Sequence, residues 1–182
     1  MPRFLALLRG VNVGGAQRVP MAGWREQLGG LGYTAVSTLL NSGNAVFDAT
    51  GRATAASHAA RIREALHGGL GLDVPVIVKS AAEMASIAAQ NTLAEAAVEP
   101  TDASRLIVVF TGDAAALRGL ATLAALVQPP ERFQLGEQAA YLWCANGILE
   151  SAAAKALLGK SGRAATTRNW ATVQKICALM QA

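Results

Sequence analysis

Phe4-Leu5-Ala6-Leu7-Leu8 is an unbroken apolar run, cut off by Arg9 and Gly10, and it limits the possible folds more than any other segment. A strand that is apolar at every position has both faces buried, so it belongs in the interior of a sheet covered on two sides. The segments after it show how that cover is supplied. Pro20 suits the first turn of a helix, and Met21, Trp24 and Leu28 then recur at helical spacing until Gly29-Gly30 stops it. Thr34 to Leu40 is β-branched and apolar, and Asn41-Ser42-Gly43-Asn44 turns the chain into Ala45-Val46-Phe47, which reads as a hairpin. Ala53 to Leu70 has a helical pattern with Ala59, Ile62, Ala65 and Leu66 on one face. Val74 to Val78 closes the series as a strand whose Pro75 places it at the sheet edge.

The order strand, helix, strand, strand, helix, strand over residues 1–80 is the split βαβ, or ferredoxin-like, arrangement. It predicts that the first and third strands lie side by side at the sheet centre. Residues 81–182 read as a second, smaller α+β subdomain. Its elements are an alanine-rich helix to Ala97, a strand at Leu106 to Phe110, a helix from Ala114 to Val127, and a hairpin around Gly136-Glu137. Two final helices, Ser151 to Lys160 and Thr167 to Met180, complete the α+β class. The partial echo of the first half suggests related subdomains, although no repeat shows at the residue level.

Hydrophobic residues make up 52% and charged residues 15% of the chain, ample for a core and unlike a disordered segment. The net charge of +4 is uneven: residues 1–79 carry +4, residues 80–149 carry −4 and residues 150–182 carry +4. Basic ends around an acidic middle point to a localised positive surface. Cys144 and Cys177 sit in apolar contexts without paired spacing, as free thiols in a reducing compartment do. No apolar run reaches the roughly 18–20 residues that span a bilayer, and the N-terminus lacks a signal-peptide layout. A cytoplasmic protein without a membrane partner is the expectation.

Three polar clusters interrupt this apolar chain. Arg9-Gly10-Val11-Asn12-Val13-Gly14-Gly15 follows the first strand, and Asn41-Ser42-Gly43-Asn44 forms the hairpin turn. Because the first and third strands run antiparallel, the two turns are expected at the same end of the sheet. Arginine forks and glycine-opened amides there would suit a small anionic or nucleotide-like ligand, although the same glycines and asparagines also serve plain turns. The third cluster, Thr166-Thr167-Arg168-Asn169-Trp170, reads as a capped helix start with an arginine, a second anion-favouring feature. The candidate ligand-binding residues are therefore Arg9, Asn12, Gly14, Gly15, Asn41, Ser42, Gly43, Asn44, Thr167, Arg168 and Asn169, with Arg168 completing the site if the last helix packs across.

Other chemistries find less support. The spacing Gly10 to Gly15 opens like a phosphate-binding P-loop, but Ala16 and Gln17 stand where lysine and a hydroxyl residue are required. His58 and His67 are too far apart on one helix to share a metal, so neither a metal nor a cofactor is expected. No acid–base pair accompanies Ser42, and the catalytic residues of an enzyme reading stay unassigned. That reading would be a hydrolase or transferase at the same place. Nucleic-acid binding fits the charge, but only Phe4 and Phe47 are aromatic on the central strands, and it is not favoured.

Ala6 to Gly15 with Val19-Pro20-Met21, then Leu40 to Phe47, then Ala165 to Val173, resemble in order three motifs of the DUF1697 family of uncharacterised bacterial proteins. The resemblance implies an α+β protein of two subdomains and carries no activity. Ala171 departs from the family's pattern, which favours a polar residue there.

Overall fold

Backbone pairing of the first apolar run organises the first sheet in the computed structural model, which describes residues 1–12, 18–97 and 99–182. The chain divides into two compact units, Met1–Met84 with Ala178–Ala182, and Ala85–Cys177. The first contains β1 (Arg3–Leu8), α1 (Met21–Gly30), β2 (Thr34–Leu39), β3 (Asn44–Asp48), α2 (Ala55–Leu70) and β4 (Val76–Ser80), from which the chain runs into α3 (Ala81–Ala89). The strand order is β2-β3-β1-β4, all antiparallel, with β1 and β3 central and β4 at the edge. That is the placement the sequence pattern requires. Phe4, Ala6 and Leu8 face the helices and pack with Trp24, Leu28, Ile62 and Leu66. Leu5 and Leu7 point the other way and are equally buried, which is why the run carries no polar alternation.

The helix-facing core contains an aromatic cluster. Phe4 stacks on Phe47 at 5.7 Å, Phe47 on Tyr33 at 4.3 Å, and His58 of α2 lies 4.5 Å from Phe4. The Tyr33 hydroxyl and His58 Nδ1 are hydrogen-bonded at 2.8 Å. The two aromatics of the central strands are thus inside the protein, where no base could stack on them.

The second unit holds α4 (Pro100–Ala103), β5 (Leu106–Thr111), α5 (Ala114–Gly119), β6 (Arg132–Leu135), β7 (Ala139–Trp143), α6 (Ala152–Leu158), β8 (Ala165–Asn169) and most of α7 (Trp170–Gln181). Three expectations change here. The helix expected from Ala114 to Val127 tightens into 3-10 geometry after Gly119. The second unit is not smaller than the first. The segment read as the start of the last helix is a strand: Ala165 to Asn169 pair with Thr111 to Ile107 of β5, and the helix begins at Trp170. β-branched Thr166 and Thr167 favour extended backbone, and Asn169 caps the helix by accepting a bond from Thr172 N at 2.9 Å.

With β8 in place, the second sheet has the order β6-β7-β5-β8, the same order as the first. Register makes the correspondence residue by residue. Phe4 lies opposite Phe47 and Ser80, and Ile107 lies opposite Leu142 and Asn169. Ser80 and Asn169 each end the fourth strand and cap the following helix, Ser80 Oγ accepting from Glu83 N at 3.2 Å. Buried Lys79 and buried Arg168 precede them at matching positions. Each half of the chain is therefore one βαββαβ module followed by a helix.

His58 gives the first unit a measurable pH dependence. Burial, and secondarily the Arg61 charge, hold its imidazole below the ordinary value of 6.5. As the pH falls through that value the unfolded chain takes up a proton that the folded chain resists. The contribution to stability is complete above about pH 6.5 and declines below it, towards the folded value. Thermal melts between about pH 7.5 and about pH 5 should show this loss, and His58→Gln should flatten the slope while lowering the melting temperature at neutral pH.

Candidate functional site

The antiparallel register puts Leu7 opposite Asn44, so the end of β1 and the turn before β3 share one end of the first sheet. Leu8 N donates to Gly43 O at 2.8 Å, which carries the pairing one step beyond the strands. Gly43 has φ +79°, and a Cβ there would come within 2.7 Å of Leu8 Cβ and 2.8 Å of Val11 Cγ2. The turn can press against the loop only because this residue has no side chain. Leu40 at the head of the turn also has a left-handed φ of 57°.

Asn12, itself at φ 56°, is the clamp between the two segments. Its Nδ2 donates to Asn41 O at 2.7 Å and to Val19 O at 3.1 Å, and its Oδ1 accepts from Val19 N at 2.9 Å. One side chain therefore ties residue 12 to Val19 and to the hairpin at Asn41. Asparagine is suited to this, since its amide both donates and accepts and it tolerates the left-handed region. Asn44, 1% exposed, donates to Leu39 O and to Ser42 Oγ, both at 2.9 Å. Arg9 N donates to Pro75 O at 3.1 Å, tying the loop to β4.

Among the expected ligand-binding residues, Asn12, Gly43 and Asn44 thus build the frame. Arg9 and Ser42 are half-buried at its rim, and Asn41 is exposed. Gly14 and Gly15 lie outside the described residues. Pro75, Val19 and Val11 take part in the frame without any polar signal that could have marked them in the sequence.

The third cluster belongs to the second unit. On β8, Thr167 and Asn169 share the face of Ile107, whereas Thr166 and Arg168 share the face of Val108 and Phe110. Arg168 is 8% exposed, and its Nη1 donates to Thr166 Oγ1 at 2.9 Å and Thr167 O at 2.7 Å. Burial pulls its pKa down to about 10. The expected placement of Arg168 at a helix start is corrected: that arginine is on a strand, and Asn169, the last residue of the strand, accepts from the Thr172 amide of the helix.

Ser42 Oγ accepts its bond from an amide, and His58 is committed to the core. Burial raises the Cys144 thiol to about 11 and also raises Cys177, so both stay protonated near neutrality. No cluster of three or more metal-ligating side chains occurs among the described residues. No helix among them is long and apolar enough to cross a membrane.

Residues 1–141 match the model of a family described as a protein of unknown function, DUF1697. The chain belongs to the DUF1697 family. The matched stretch takes in the β1 loop and the hairpin turn and ends before β8. The fold is shared with a solved structure, the conserved bacterial protein SP0830 from Streptococcus pneumoniae, at a TM-score of 0.75, with 24% identity and 98% of each chain covered. No curated protein matches the sequence.

The frame predicts unequal effects of small substitutions. Gly43→Ala must force the turn and β1 apart and hold a left-handed alanine, costing roughly 2–4 kcal/mol. Ser42→Ala removes one acceptor at a half-buried position and should cost about 1 kcal/mol. Urea denaturation of the two variants checks the ranking.

Proposed function

We propose that this DUF1697 protein binds a small anionic, nucleotide-like molecule in its first unit, at the rim where the β1 loop meets the Asn41-Ser42-Gly43-Asn44 turn. The observation that carries the reading is the Asn12 clamp. It joins two donor-bearing segments distant in sequence, and Arg9 and Ser42 follow directly from the Leu8–Gly43 contact. Arg9 brings the charge and a planar donor fork, and Ser42 a hydroxyl. The asparagines hold the platform still, so that little conformational freedom is lost on binding. The +4 charge of residues 1–79 favours the approach of an anion. Free, protonated cysteines suit a reducing compartment, and we place the protein in the cytoplasm.

Thermal-shift measurements with inorganic phosphate, nucleoside monophosphates and di- and tricarboxylates test the reading. A ligand at about 100 times its Kd should stabilise the fold by about 2.7 kcal/mol. Arg9→Ala should weaken that ligand by roughly tenfold or more, read as a smaller ligand-induced shift measured from the variant's own unliganded melting temperature. Stabilisation by none of these anions, or stabilisation undiminished in Arg9→Ala, overturns it.

A further inference from the structure

The helix-facing space beside the first strand is filled in the first unit and hollow in the second. In the first unit Phe4, Phe47 and His58 close it, beneath the long helix Ala55–Leu70. In the second unit the matching strand residues are Ile107 and Leu142, and the matching helix is only Ala152–Leu158. Smaller side chains and a shorter helix leave a cavity of about 170 Å³ between α6 and the β5–β8 pair. Its walls are Ile107, Ile148, Ala154 and Leu157, and Leu158, 70% exposed, stands at its mouth.

Two polar groups face this hollow, Thr167 and Asn169, which alternate onto the inner face of β8. Asn169 Oδ1 accepts from the Thr172 amide, and the side chain still offers its Nδ2 donors. None of the lining residues among the described ones carries a charge. A carboxylate entering here would lose its hydration without a counter-ion, whereas a neutral head group exchanges water for Thr167 and Asn169. Apolar cavities of roughly 150 Å³ admit benzene, which sets the size of the body.

We infer that the second unit holds a binding pocket for a compact neutral amphipath, an aromatic or short aliphatic body bearing a hydroxyl or primary amide, with its head group on Thr167 and Asn169. The site is separate from the anion rim of the first unit and does not depend on it.

The test is fluorine NMR titration of the full chain with 4-fluorophenol, fluorobenzene and 4-fluorobenzoate. The phenol should bind saturably with a Kd on the order of 1 mM or below. Thr167→Val should weaken the phenol by roughly 3–10-fold, the size of one neutral hydrogen bond, and leave fluorobenzene unchanged. Ala154→Leu should abolish binding of both by filling the hollow. Thr167→Val, at a half-exposed strand position, decides the matter alone if Ala154→Leu does not fold. Arg9→Ala should leave phenol binding unaltered, which separates this site from the proposed anion rim. Absence of saturable phenol binding up to roughly 10 mM overturns the inference. So does binding unchanged in Thr167→Val, fluorobenzene as tight as the phenol, or the benzoate as tight as the phenol.

Discussion

The central strand of each sheet has to be satisfied on four sides. β1 hydrogen-bonds to β3 on one edge and β4 on the other, with apolar side chains above and below. β3 shares that central place, but β1 is apolar at every position from Phe4 to Leu8, and a slip of one residue would exchange Leu5 and Leu7 with Phe4 and Ala6. That register fixes where the chain leaves the sheet. The first residue beyond β1 must emerge beside the turn that precedes β3, so the meeting of Arg9 with the Ser42 turn follows from the register that core packing sets.

Polar residues at that meeting point then perform two kinds of work that look alike in a sequence. Asn12 and Asn44 satisfy backbone groups that the turns leave exposed, and Gly43 allows the close approach. A frame of this kind needs asparagine and glycine for the same reasons a ligand site would, namely amide hydrogen bonding and left-handed backbone. Arginine is different. An arginine adds a permanent charge and a planar donor fork, which neither the turn conformation nor the backbone bonds of the frame call for by themselves.

Legibility followed burial. β1, β5 and β7 could be read because both of their faces are apolar, and the hairpins because turn residues separate two such runs. β8 escaped detection because Thr166 and Arg168 put polar atoms on a buried face, while Thr167 and Asn169 put them beside a cavity. Its sequence looks like a solvated helix start, and only the unpaired edge of β5 shows that a strand is needed. Without β8 the kinship of the two halves stays hidden, since the sequences share the order of elements and hardly any residues. The frame around Asn12 was foreseeable as a meeting of turns. Pro75 and Val19 were not, because a backbone carbonyl or amide carries no residue-type signal.

One module built twice also accounts for where the two halves differ. A sheet with a fixed strand order presents the same inner surface in outline, and what fills it depends on helix length and side-chain volume. The first unit uses a sixteen-residue helix, Phe4 and Phe47, and admits a buried histidine only because Tyr33 is bonded to it. The second has Ile107 and Leu142 under a seven-residue helix. Cores relax only partly around missing volume, so a shortened helix tends to leave a hollow rather than draw the sheet inward. An empty apolar hollow forgoes the contacts that its walls would otherwise make. Asn169 faces it because it also caps the last helix, whereas Thr167 faces it with a hydroxyl where an apolar residue would pack as well.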